Sequence, residues 1–332
     1  MDPVRQIADA VLYEGYVLWP YRRSALKNTR RWTFGGVYPR EHSERHPDDA
    51  WGMRTECLVE GYADATVDVG VRFLHVVRRQ VARREPHGLE PVDELTVGGA
   101  RHLSWEEATE REVVATALRL DDLRSPRRIP IVIPEGREEE ELLSGDQRAG
   151  ALVRTSRALE GRVEIAIQAP RPGLFRLSVE IANTTPFRGG EREQALECTF
   201  CSTHTIIRAR GGELVSLTDP PAGLRDEAES CRNEGTWPVL VGQPGERHMM
   251  LSSPIILEEY PRVAPESPGD LFDGGEIDQL LTLNILSLTD AEKAEMRDSD
   301  PRAREILERT EGLSQDELMK LHGAIRELRH VH

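Results

Sequence analysis

The chain has 332 residues, 38% of them hydrophobic and 30% charged, enough apolar material for one large core or two ordinary ones and too much for a wholly disordered chain. No run of eighteen apolar residues occurs, so no membrane-spanning helix is expected. The net charge of −15 repels phosphates and argues against general nucleic-acid binding.

Residues 3–12 read as a short helix, with Val4, Ile7, Ala8 and Val11 at helical spacing. Acids in this opening stretch interrupt the apolar run that a signal peptide requires, so secretion is not expected. Four cysteines at uneven spacing do not form a disulfide framework. A reducing, cytoplasmic compartment is the expectation.

Residues 13–38 are the most unusual part of the chain. Tyr13, Tyr16, Trp19, Tyr21, Trp32, Phe34 and Tyr38, with nearby Trp51, are eight of the seventeen aromatics. They interleave with Arg22, Arg23, Lys27, Arg30 and Arg31. Residues 1–40 carry a net +4, which by subtraction leaves −19 on the remainder. Arginines and aromatics together are favoured at the centres of protein interfaces. The candidate partner-binding residues are Trp19, Tyr21, Arg22, Arg23, Lys27, Asn28, Arg30, Arg31 and Trp32. Two other uses compete: packing of the segment on the chain's own sheet, and stacking on single-stranded bases, which the acidic remainder disfavours. Only three of the 43 basic residues are lysines (Lys27, Lys293, Lys320), an excess of arginine that codon bias explains without invoking recognition.

From about residue 53 to 256 the pattern is strand. Val67, Val69, Val71 and Phe73 alternate with Asp68, Gly70 and Arg72, the period of a half-buried strand. Further runs fall at 111–120, 151–159, 162–168, 174–182, 198–209 and 213–218. The runs on either side of Glu160-Gly161 read as one hairpin, and those flanking Arg210-Gly211-Gly212 as another. The polar stretch 137–150 reads as a surface loop or short helix. Closely spaced strands without intervening helices predict an α+β chain whose core is mainly antiparallel, a sandwich or an open barrel.

The expected division is an aromatic and basic segment over 1–52, a β-rich domain over 53–257, and an acidic linker with C-terminal helices over 258–332. Thr289-Asp290-Ala291-Glu292 and Ser314-Gln315-Asp316-Glu317 fit the capping box, and Asp300-Pro301 places an N-cap before a helical proline. Three helices are therefore predicted, near 290–297, 301–311 and 315–328. Leu318, Leu321, Ile325 and Leu328 form an apolar stripe on the last, expected to dock on the protein itself.

No Walker loop, dinucleotide fingerprint, serine elbow or zinc-protease motif occurs. The sharpest metal candidate is Cys198-x-x-Cys201-x-x-His204 with Cys231, residues of the kind that bind zinc or another transition metal. In a regular strand, however, Cys198 and His204 would share one face and Cys201 the other, so buried, inert cysteines are the simpler reading and no cofactor is predicted. Glu266, Asp270, Asp273, Glu276 and Asp278 lack the spacing of a helical-loop calcium site and read as a solvated loop. His42, His46, His75 and His248 fall into no nucleophile–base pattern.

Residues 11–39 (VLYEGYVLWPYRRSALKNTRRWTFGGVYP) and 251–311 (from LSSPIILEEYPR to REILERTE) resemble an uncharacterised bacterial family associated with gene clusters of nickel–iron hydrogenases of the actinobacterial, oxygen-tolerant type. The resemblance implies a non-catalytic accessory, assembly or scaffolding protein whose partner is a hydrogenase subunit or precursor, bound through the Arg/aromatic segment. It brings no catalytic residues. The alternatives are a metal-binding enzyme or metallochaperone using Cys198, Cys201, His204 and Cys231, and a structural subunit of a large assembly; a homo-oligomer fits either role.

Overall fold

The computed structural model describes residues 2–13, 34–261, 285–299 and 301–313. The chain divides into two compact units, one comprising residues 1–14 and 32–262 and the other residues 15–31 and 263–332.

The first unit is built on β1 (Gly52–Glu85), a strand of 34 residues. Over Gly52–Glu60 it pairs with β10 (Leu174–Asn183), over Thr66–Arg79 with β5 (Trp105–Arg119), and over Val81–Glu85 with β2 (Gly88–Val92). Over Leu58–Leu74 it pairs with β11 (Cys201–Val215), and over Arg78–Arg83 with β8 (Gln147–Ser156). Residues 58–60 pair with β10 and β11 at once, and residues 78–79 with β5 and β8 at once. A strand has two hydrogen-bonding edges, so β10, β5 and β2 follow one another along one edge and β11 and β8 along the other. Beyond β10 come β9 (Leu159–Arg171) and β6 (Arg127–Ile133); beyond β11 come β13 (Met249–Ser253) and β12 (Trp237–Leu240). β7 (Gly136–Ser144) pairs with β8, and β3 (Glu94–Val97) with β4 (Ala100–Leu103) form a separate ribbon. Every pairing is antiparallel, so the expected α+β chain with a mainly antiparallel core is what forms.

Three local expectations are corrected. Glu160-Gly161 lies inside β9 and is not a turn; β8 pairs with β1 and β7, and β9 with β10 and β6. Likewise β11 runs straight through Arg210-Gly211-Gly212. Those glycines are needed for close approach: Gly61 faces Gly212, and a Cβ on Gly212 would stand 2.9 Å from the Glu60 carbonyl oxygen. The stretch 137–150 holds β7 and the start of β8, joined at Gly145 (φ +60°). Its acids fit a strand because they face arginines across it, Arg154 reaching Glu140 at 2.8 Å.

Helix α1 (Pro3–Leu12) forms as predicted, with proline in its first turn. Val4, Ile7, Ala8, Val11 and Leu12 are buried, and the helix lies against β1, β11 and β13. Ten residues are too few to hold a helix in water. Burial of four large aliphatic side chains contributes about 1.5–3 kcal/mol each before ordering costs, so the helix depends on its docking. Three single-turn helices complete the unit, α2 (Arg40–Ser43), α3 (Arg192–Leu196) and α4 (Arg225–Glu229).

In the second unit, α5 (Asp290–Ser299) and α6 (Pro301–Glu311) match the first two predicted tail helices. The capping box is made: the Glu292 N–H donates to Thr289 Oγ1 at 3.3 Å, and the Thr289 N–H to Glu292 Oε2 at 2.9 Å. Met296, Ala303, Ile306 and Leu307 are buried, and Lys293 and Arg297 both pair with Glu311, at 3.1 and 2.8 Å. The third predicted helix and its leucine stripe lie outside the described residues.

Candidate functional site

The face of the sheet beneath α1 buries an arginine and a histidine side by side. Arg72 stands opposite His204 on one side and Glu112 on the other, and Glu110 stands opposite Leu74. All four therefore share one face with Leu74. Arg72 is 2% exposed. Its Nη2 donates to Asp9 Oδ1 of α1 at 2.7 Å and to Glu110 Oε2 at 3.2 Å. The Tyr13 hydroxyl donates to Glu110 Oε1 at 2.6 Å, and Arg5 pairs with Glu112 at 3.1 Å. A charged side chain between Val71 and Phe73 reads in the sequence as pointing to solvent. It is buried because α1 covers that face, and the helix brings the carboxylate that pairs with it.

His204 is fully buried, and its Nδ1 lies 3.1 Å from the Ser202 carbonyl oxygen. Nδ1 must carry the proton in that contact, which leaves Nε2 as a lone pair. Burial pushes the His204 pKa down to about 4, and Arg72 adds to the fall. His75, on the opposite face and also buried, is lowered to about 4 by burial and by Arg111. At neutral pH both rings are uncharged. They cannot donate a proton as a general acid there.

Ser202 organises the region. Between Arg72 and Leu74 the register of β11 slips, with Leu74 facing Cys201 and Arg72 facing His204, and Ser202 takes φ +52° in the resulting bulge. Its N–H donates to the Phe34 carbonyl at 3.1 Å, and its hydroxyl donates to the Val11 carbonyl at 3.2 Å. The Thr203 N–H donates to the Gly35 carbonyl at 2.9 Å, and Val37 bridges Phe200. Residues 11 and 34 are thereby fastened to one seryl residue.

The bulge also changes the arrangement of the metal candidates. Cys201 and His204 share a face, contrary to the regular-strand expectation, because the extra residue restores their parity. Cys198 is not in a strand; it lies in the turn between α3 and β11, beside Glu197 and Arg157. Cys231 follows α4 and packs near Leu58 and Leu224, with Arg176 beside it. Burial raises the pKa of Cys57, Cys198 and Cys231, which keeps these thiols protonated and poorly nucleophilic. Among the described residues no group of three or more His, Cys, Asp or Glu side chains is placed to hold a metal.

Of the aromatic segment, the structure places four residues. Tyr13 is buried against Glu110, and Tyr38 is buried with its hydroxyl accepting from Arg192 at 2.8 Å. Phe34 and Trp51 are 41% and 36% exposed, the latter beneath the Arg40 guanidinium. Trp19, Tyr21, Arg22, Arg23, Lys27, Asn28, Arg30, Arg31 and Trp32 lie outside the described residues.

His42, 2% exposed, bonds Asp49 at 2.9 Å and stacks on Tyr38 and His46. The adjoining open cleft, about 500 Å³, is lined by Asp49, Trp51, Arg54, Arg162 and Glu180. Within it Asp49 bonds His42, and Glu180 pairs with Arg54 at 2.7 Å. Compared with protein-family models, curated proteins and solved structures, the chain matches none.

Proposed function

We propose that the protein is a non-catalytic accessory or scaffolding protein that grips a protein partner with its Arg/aromatic segment, the partner being a subunit or precursor of a nickel–iron hydrogenase. The observation that supports the grip is the pair of hydrogen bonds that Ser202 donates, from its hydroxyl to the Val11 carbonyl and from its N–H to the Phe34 carbonyl. Residues 11 and 34, which flank the Arg/aromatic run in the sequence, are thereby fixed to one seryl residue, and anchored flanks favour a recognition segment carried on a rigid scaffold. The hydrogenase rests on the resemblance of residues 11–39 and 251–311. We further propose that the sheet curls toward an open barrel, since Glu234, shortly before β12, returns to bridge Arg54 on β1. A cytoplasmic site belongs to the same proposal, with which the lack of any disulfide among the four cysteines is consistent.

The test is binding of the purified chain to co-expressed hydrogenase subunits. Wild type is expected to form a complex resolvable by size exclusion. An Arg22→Ala/Arg23→Ala/Trp32→Ala variant should bind about tenfold or more weakly, as loss of interface anchors does. Failure of wild type to bind, or equal binding by both, refutes the proposal.

A further inference from the structure

A second region of the first unit brings two arginines without ion pairs to one open cleft. At the end of β5 the pairing with β1 slips between Val67 and Val69, and Ala117 adopts φ +53°. Asp68 holds this bulge: its Oδ1 accepts the Ala117 N–H at 2.7 Å, and its Oδ2 accepts from Arg210 at 2.9 Å. A non-glycine residue in the left-handed region is costly, and such strain gathers at functional sites. The chain then turns through Asp121–Arg124 into β6, and an open cleft of about 350 Å³ lies between the bulge and the start of β6.

Arg119, Arg127, Ser125 and Asp122 line this cleft. The neighbouring cations are spoken for: Arg124 pairs with Asp121 at 2.7 Å, Arg128 with Glu164, and Arg210 with Asp68. Arg119 and Arg127 make no ion pair or hydrogen bond among the described residues, nor does the Ser125 hydroxyl. What sets Arg119 and Arg127 apart is that both line one concavity, which Asp122 shares. Thr66 lies opposite Arg119 on β5 and opposite Arg210 on β11, so two arginines flank it beside the bulge, and of these Arg210 pairs with Asp68.

We propose that this cleft binds a phosphate-class oxyanion, the phosphoryl group of a small ligand, between the Arg119 and Arg127 guanidiniums with the Ser125 hydroxyl as a third donor. Planar guanidiniums bind tetrahedral oxyanions through paired N–H bonds, and the cleft volume sits near the lower end of small-ligand sites, about 300 Å³. The acidity of the whole chain opposes long-range attraction, so affinity rests on these local bonds, with a Kd for inorganic phosphate on the order of 1 mM. The site is separate from the Arg/aromatic segment, and its success or failure leaves that proposal untouched.

The experiment is a heteronuclear NMR titration of the full chain at constant ionic strength, with inorganic phosphate in one arm and phenyl phosphate in the other. Saturable shifts are expected for the amides of residues 117–127, and they should vanish in Arg119→Gln/Arg127→Gln while persisting in Arg124→Gln. Both substituted arginines are exposed, so an unchanged thermal melt checks that the fold is intact. Tighter phenyl phosphate binding assigns the site to an organic phosphate monoester; equal binding assigns it to the free anion. No saturation below roughly 10 mM, or shifts that survive in the double variant, overturn the proposal.

Discussion

Arg72 offers a quantitative test of how α1 is held. Its guanidinium is 2% exposed, whereas its partners Asp9 and Glu110 are 54% and 43% exposed. The cost of breaking the pair is therefore asymmetric. Removing the two acids, by Asp9→Ala with Glu110→Gln, leaves a buried cation uncompensated, a change that costs about 3–5 kcal/mol. Exposed acids return to water when the cation is removed, so Arg72→Met should cost about 1–2 kcal/mol, most of it from imperfect packing. Asp9→Ala alone leaves Glu110 in place and should fall near 1–2 kcal/mol. For a unit of this size each kcal/mol lowers Tm by roughly 2–4 °C. Urea melts of the three variants, with helix content followed alongside a tryptophan signal, would measure the order. If Arg72→Met destabilises as much as removal of both acids, the guanidinium is a net contributor and the asymmetry argument fails.

Four further outcomes follow. His75 and His204 have pKa values of about 4 in the folded protein against 6.5 unfolded, so the unfolded chain binds more protons between those values. Stability from each, on the order of 3 kcal/mol, is complete above pH 6.5 and lost as pH falls toward 4; a His204→Gln variant should show a shallower urea midpoint against pH than wild type. Ala117→Gly should raise stability by about 0.5–1 kcal/mol by relieving the left-handed alanine, and Asp68→Ala should lower it by about 1–3 kcal/mol through the unpaired N–H it leaves; a destabilising Ala117→Gly or a neutral Asp68→Ala in calorimetry would sink the account of the bulge. Ser202→Val places a β-branched side chain at φ +52° and removes the bond to Val11, so both Tm and partner binding should drop, whereas Ser202→Gly should retain most of the stability. Elemental analysis of protein purified without chelators should give well under one equivalent of zinc, nickel or iron, because Cys198 and Cys231 have separate surroundings; a stoichiometric metal lost in Cys201→Ser would contradict this.

Much of the local structure was legible in the residues. Helix α1, the helices α5 and α6, and the alternating run from Val67 to Phe73 announce themselves because helix and strand periods are properties of neighbouring residues. Composition alone also singled out the Arg/aromatic segment. Pairing was not legible, because a hydrogen-bonded edge carries no side-chain signature. The two supposed hairpins, at Glu160-Gly161 and at Arg210–Gly212, were read from turn-like dipeptides, yet the first lies within β9 and the second is where β11 crosses close to β1. Nor could the sequence show the bulges at Ala117 and Ser202, and one inserted residue reverses which side chains share a face. That is why Cys201 joins His204 and why Ser202 can reach both Val11 and Phe34. Finally, Arg72 looks solvated in its own strand and is buried by a helix sixty residues earlier. Burial depends on what lies across the sheet, and only the tertiary structure decides that.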